Sequence, residues 1–84
     1  MRVTLKLYAT LTDHLPAHAQ RDNAVELDLA EAETITSAIA PFGLPQRLVH
    51  LVLVNGVFVP PEERAGRALR DGDVLAIWPP IAGG

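Results

Sequence analysis

The residues best placed to do chemistry stand at the end of the sequence: Trp78-Pro79-Pro80-Ile81-Ala82-Gly83-Gly84. Two residues without side chains let a carboxylate on Gly84 pass down a narrow channel, adopt any φ and approach another protein's backbone closely. A carboxylate is itself a poor electrophile and needs a good leaving group before a nucleophile can displace it. Ile81 and Ala82 would make modest apolar contacts along such a channel. Pro79-Pro80 would keep the base of the tail extended and away from the sheet edge. The plain alternative is a frayed terminus that happens to finish in Gly-Gly.

The other reactive side chains form no comparable set. His14 and His18 are four apart, a metal-ligand spacing on a helix, but Pro16 lies between them and no carboxylate or cysteine completes the group. His50 falls in an apolar run and reads as a structural or surface histidine. Asp71 and Asp73 flank Gly72, and turn formation accounts for them without catalysis. Arg64, Arg67 and Arg70 could touch an acidic groove on a partner, although a solvated face is the simpler reading. Neither a Ser-His-Asp set nor a carboxylate pair is legible. The patterns GxxxxGK[ST] and GxGxxG are also absent, so no nucleotide site is legible. With no cysteine, disulfides and thiolate metal sites are excluded.

These residues must be positioned by one small domain, since the sequence has only 84 residues. A chain this short buries about two-thirds of its unfolded surface at most. At 49% hydrophobic residues it can still fill a core. A net charge of −3 argues against nucleic acid and against an electrostatic membrane anchor. No run approaches the ~18 apolar residues of a spanning helix. The opening MRVTLKLYAT starts a strand pattern at once and does not resemble a leader. A soluble, cytoplasmic domain is expected.

Val3, Leu5 and Leu7 alternate with polar neighbours and predict a half-buried strand, and Val25, Leu27 and Leu29 predict a second, antiparallel to it. Residues 10–23 show no clear period and predict a loop with a short helical turn. Thr34 can cap a helix whose Ile35, Ala38, Ile39 and Phe42 share one face. Pro41 should end that helix near Ala40, with Gly43 and Pro45 confirming the stop. The apolar run Leu48–Val54 predicts a central strand. Asn55-Gly56 predicts a tight hairpin returning through Val57–Val59. Pro60–Arg70 is a polar connection with Leu69 tucked inward. A turn at Asp71-Gly72-Asp73 then precedes the last strand, Val74–Trp78. Two strands, a helix and three strands make an α+β arrangement, a sheet with one helix across one face. Residues 1–78 are expected to form the domain and 79–84 a flexible tail.

Strand parity then sorts the aromatic residues. Tyr8 falls on the face opposite Val3, Leu5 and Leu7. Phe58 falls opposite Val57 and Val59, which are expected to face inward. Trp78 falls opposite Leu75 and Ile77, together with Val74 and Ala76. Three of the four aromatic residues thus land on the sheet face without the helix. Such a patch points to a partner protein, unless the 10–23 segment folds over it.

The element order, Val54-Asn55-Gly56, Leu69-x-Asp71-Gly72-Asp73-Val74 and the Pro79-Pro80-x-Ala82-Gly83-Gly84 ending together resemble the ubiquitin-like, β-grasp sulfur carriers. Within them the ending and length are most similar to the small subunit of molybdopterin synthase. Val59-Pro60 followed by charged residues is similar to the thiamin-thiazole carrier, and Pro41 within the expected helix departs from both. The resemblance implies a mixed sheet of about five strands with one main helix. It implies that an adenylating enzyme uses ATP to convert the Gly84 carboxylate to an acyl-adenylate, from which sulfur makes a thiocarboxylate. Having no cysteine, the chain can carry sulfur only there. The resemblance further implies a sulfur-donor protein and a large catalytic subunit that accepts the tail and the aromatic face. The chain itself would bind no cofactor and act as a carrier, not an enzyme. Its sulfur would go to a pterin precursor of the molybdenum cofactor. The alternatives are thiazole synthesis, another thiolated metabolite, a ubiquitin-like protein modifier, or a binding module with an idle tail.

Overall fold

The computed structural model describes residues 1–80. Five strands form one sheet: β1 (Arg2–Leu7), β2 (Ala24–Asp28), β3 (Leu51–Val54), β4 (Val57–Phe58) and β5 (Val74–Trp78), in the order β2-β1-β5-β3-β4. β1 and β5 run parallel, and the other neighbours are antiparallel. Two short α-helices, α1 (Ala17–Gln20) and α2 (Ile35–Ile39), complete the regular elements together with several 3-10 turns. This is the predicted α+β, β-grasp arrangement.

The strand in the middle is β5, not the apolar run expected there. Of Leu48–Val54 only Leu51–Val54 pairs as a strand, while Leu48 closes a 3-10 turn. The run is apolar because both of its faces are: Val52 and Val54 are buried, whereas Leu51 and Leu53 point to the opposite side and stay accessible. Periodicity cannot separate a central strand from one with an apolar open face.

α2 begins as its sequence requires. The Thr34 hydroxyl accepts from the Ser37 amide, and the Ser37 hydroxyl accepts in return from the Thr34 amide, at 3.1 and 2.9 Å. The helix stops at Ile39, and Pro41 lies in a 3-10 turn, Ala40–Phe42. Gly43 ends that turn with φ +65°, a conformation open to glycine. Ile35 and Ala38 are buried, with Ile39 and Phe42 packed more loosely against the same core. We expect Ile35→Ala to cost about 2–5 kcal/mol. That is a large share of the ~5–10 kcal/mol available to so small a domain. A urea midpoint unchanged by Ile35→Ala would show that α2 packs differently.

The 10–23 segment is more ordered than a loop. A 3-10 helix, Ala9–His14, leads through Pro16 into α1. Leu11, Leu15 and Ala19 are buried in the same cluster as Val3, Leu5, Leu7, Ile35, Leu75 and Ile77. Their four-residue spacing was the available signal, masked by Pro16. The segment fills the core on the helix side and so does not roof the other face of the sheet. Val57 also departs from expectation: it is 64% exposed. It shares the parity of the buried Val54, its register partner, but sits at the hairpin tip where no helix reaches. Val59 and Leu69 are buried as predicted.

Candidate functional site

β5 carries the base of the tail through the centre of the molecule. Leu75 and Ile77 are fully buried beneath α2's side of the sheet, anchoring the strand. At its end the Tyr8 amide donates to the Ile77 carbonyl and the His50 amide donates to the Trp78 carbonyl, both at 3.2 Å. The chain is therefore held from both neighbouring strands up to Trp78. Pro79 is buried and Pro80 exposed. Ile81, Ala82, Gly83 and Gly84, the tail residues singled out above, lie outside the described residues.

On the sheet face opposite the core, Tyr8 and Trp78 stack with ring centroids 4.1 Å apart and planes within 2°. Leu51 lies beside Trp78 in register, and Leu53 lies between Ala76 and Phe58. Cross-strand partners share a face, so Tyr8, Trp78, Leu51, Leu53 and Phe58 form one apolar strip from the base of the tail to the hairpin. Leu51 is 36% and Phe58 51% exposed. Tyr8, Phe58 and Trp78 lie on the face that strand alternation predicts for them. Leu51 and Leu53 join them on that face, although their unbroken apolar context predicts only a central strand.

The Asp-Gly-Asp turn is structural. Asp73 is buried, and its carboxylate accepts from the Asn55 side-chain amide and the Arg70 backbone amide, both at 2.9 Å. The Asn55 side-chain oxygen in turn accepts from the Val74 amide at 2.9 Å. One asparagine thus clasps the hairpin to the start of β5. Asn55 and Gly56 have φ +52° and +82°, the tight-turn geometry their sequence predicts. Asp71 accepts from the Arg2 amide at 2.7 Å, and Gly72 has φ +87°. Arg2 is exposed and its pKa is raised, chiefly by the charge of Asp28 and then by Glu26; these ion pairs, at 3.3 and 3.0 Å, are solvent-screened.

Arg64 contradicts its reading as part of a solvated face with Arg67 and Arg70. Those two are exposed, but Arg64 is only 7% accessible. Its guanidinium donates to the carbonyls of Val59, Val49 and His50 at 3.0, 3.1 and 3.0 Å. Burial lowers its pKa from the ordinary arginine value. Sequence spacing gave no sign of this, because the three acceptors come from segments brought together only by the sheet. His18 and His50 are exposed and His14 is half-buried. Among the described residues no three His, Cys, Asp or Glu side chains are placed to hold a metal.

The family model described as Mut7-C ubiquitin matches residues 1–82. The chain belongs to the Mut7-C ubiquitin family. This ubiquitin-like chain is similar to SAMP1, small archaeal modifier protein 1, of Haloferax volcanii: 25% identity over 100% of both chains, with a TM-score of 0.70. It is also similar to the HVO 2177 protein of the same organism, at 25% identity over 100% of this chain and 87% of the other, with a TM-score of 0.74. The complex of subunits 1 and 2 of the molybdopterin-converting factor from Helicobacter pylori shares the fold, with 17% identity over 100% of both chains and a TM-score of 0.61. No curated protein matches the chain. The ubiquitin-like family membership inferred from the hairpin, the Asp-Gly-Asp turn and the ending therefore holds. Among the described residues no helix is long and apolar enough to cross a membrane.

Proposed function

We propose that this chain is a ubiquitin-like sulfur carrier that works through the carboxyl group of Gly84, in the manner of a molybdopterin synthase small subunit. The observation that carries the reading is the run Pro79-Pro80-Ile81-Ala82-Gly83-Gly84 issuing from the middle strand of a β-grasp sheet, beside an apolar open face. A partner enzyme binds ATP and transfers AMP to the Gly84 carboxylate, with pyrophosphate leaving. A sulfide equivalent then attacks the acyl carbon, and AMP leaves with the electron pair of the broken C–O bond. The product, a thiocarboxylate, is softer and more nucleophilic than the carboxylate it replaced. Within a large catalytic subunit its sulfur attacks a carbon of a pterin precursor, displacing a leaving group there, and water then cleaves the acyl C–S bond, so that the sulfur stays on the precursor and Gly84 returns to a carboxylate.

The chain's own contribution is positional. Leu75 and Ile77 hold β5 in the core, Pro79 and Pro80 set the exit, and Ile81, Ala82 and Gly83 pass along the partner's channel. Tyr8, Trp78 and Phe58, with Leu51, offer the surface on which the activating enzyme and the catalytic subunit dock. The chain supplies no general acid or base; those belong to its partners, as does the sulfur-donor protein. A thiazole precursor is the close alternative acceptor. The experiment is incubation with a cognate adenylating enzyme, ATP and sulfide, followed by intact-mass spectrometry and C-terminal peptide mapping. The expected result is exchange of one oxygen of Gly84 for sulfur. A mass gain elsewhere, or none with an enzyme active on its own carrier, would overturn the reading.

A second reading is favoured by the 25% identity to SAMP1, whose name describes a modifier. In it the activated Gly84 carbon is attacked by a lysine amine to give an isopeptide bond. Conjugates of higher mass in cell extracts, lost when Gly84 is deleted, distinguish the modifier from a carrier.

A further inference from the structure

Arg64 and Asp73 are the buried charged residues among those described. Asp73 closes a turn, but Arg64 has a wider reach. Its acceptors Val49 and His50 lie just before β3, and Val59 just after β4. A planar, five-donor guanidinium can serve three carbonyls at once, which an ammonium on a flexible stem cannot do in the same geometry. Two further contacts extend this clasp. The Arg64 Cζ lies 6.0 Å from the centroid of the Phe58 ring, at one end of the apolar strip. His50, whose carbonyl Arg64 holds, donates its amide to the carbonyl of Trp78, at the other end and at the base of the tail.

We propose that Arg64 is the positioning residue that fixes the base of the tail relative to the open face, by holding His50 against Trp78 and flanking Phe58. The proposal rests on the carrier reading for its functional consequence, while its geometry stands without it. A partner that engages both strip and tail must meet them in one relative placement. Without the bond from Arg64, His50 would hold the Trp78 carbonyl less firmly, and the base of the tail would be less fixed relative to the strip. The carboxylate itself would be chemically unchanged. Loss of Arg64 should therefore weaken productive engagement and spare the chemical step once engaged.

The test compares Arg64→Lys with Leu27→Ala, a substitution on β2 at the opposite edge of the sheet, in the full chain. Both are first characterised by urea unfolding. Native-state amide exchange is then read at His50 and at Tyr8, the two donors flanking the end of β5. In Arg64→Lys, exchange at His50 should accelerate about tenfold relative to Tyr8, the equilibrium weight of one charge-assisted bond. Emission of Trp78, the single tryptophan, should shift with it. In Leu27→Ala the His50-to-Tyr8 ratio should stay as in the wild type. In adenylation by the activating enzyme, Arg64→Lys should raise KM for the carrier about tenfold with kcat unchanged. Leu27→Ala should change neither. If Arg64→Lys does not fold, Arg64→Gln is read in the same way. An unchanged exchange ratio overturns the clasp. A KM increase matched by Leu27→Ala reduces Arg64 to a merely stabilising role and overturns the proposal. If the wild-type chain is not adenylated, the carrier reading fails, and the exchange ratio alone decides whether Arg64 fixes the tail base.

Discussion

Deleting Gly84, or adding one residue after it, should abolish sulfur uptake and leave the unfolding transition where it was. The reacting atom of the proposed carrier is one carbonyl carbon a set number of residues beyond the anchored end of β5. One residue more or less displaces it by about 3.5 Å along an extended tail. A misplacement of about 1 Å can already cost a hundredfold in rate where catalysis depends on orientation. The domain should be indifferent to the change. Its core is made by Val3, Leu5, Leu7, Ile35, Val52, Leu75 and Ile77, all within the described residues. Single-turnover thiolation, followed by intact mass, and urea unfolding of the same preparations check the two halves. Undiminished sulfur uptake by either variant would place the acceptor away from Gly84. A displaced unfolding midpoint would mean that the end of the chain contributes to the core.

Trp78→Ala is expected to weaken binding of the activating enzyme by about thirtyfold, the effect of truncating an aromatic anchor worth ~2 kcal/mol. Trp78 is the natural anchor because it joins the two features a partner must read. Its ring lies on the open face, and its carbonyl is the last one held by the sheet among the described residues. Part of its effect falls on the free domain, because the stack on Tyr8 is lost. That loss should be about 1 kcal/mol, well below the cost of Ile35→Ala. Phe58→Ala separates the terms further, since its side chain has no aromatic partner and is half exposed. It should weaken binding with little effect on stability. Titration calorimetry against the enzyme, paired with unfolding free energies, measures both. If Trp78→Ala and Phe58→Ala destabilised the free domain as strongly as Ile35→Ala, the strip would be core and the docking surface would lie elsewhere.

Local chemistry made much of this protein readable from its residues alone. Alternation at Val3, Leu5 and Leu7 gives β1 its buried face. Thr34 caps α2, and Pro41 with Gly43 ends the helical stretch. Asn55-Gly56 forces the hairpin, and Asp71-Gly72-Asp73 forces the turn into β5. Each of these depends on a residue's own backbone preferences or on neighbours within four positions, so no knowledge of the rest of the chain is needed. The same holds for the Pro-Pro and Gly-Gly run and for the absence of cysteine, on which the proposed carrier reading rests.

Tertiary structure decided what depends on residues far apart in the chain. That β5 and not β3 occupies the middle of the sheet follows from the parallel pairing of β1 with β5, which no local pattern encodes. Leu11, Leu15 and Ala19 joined the core because the sheet needed cover where α2 is short, and Pro16 hid their spacing. Val57 lost its burial to the position of the hairpin tip. Leu51 and Leu53 face outward because alternation along β3 sends them to the side opposite Val52 and Val54, and no element covers that side among the described residues. Arg64 looked like a surface charge because its three carbonyl partners lie five to fifteen residues away and converge only after β3 and β4 have paired. A buried guanidinium is retained only where such acceptors meet around it, and that meeting is a property of the folded sheet.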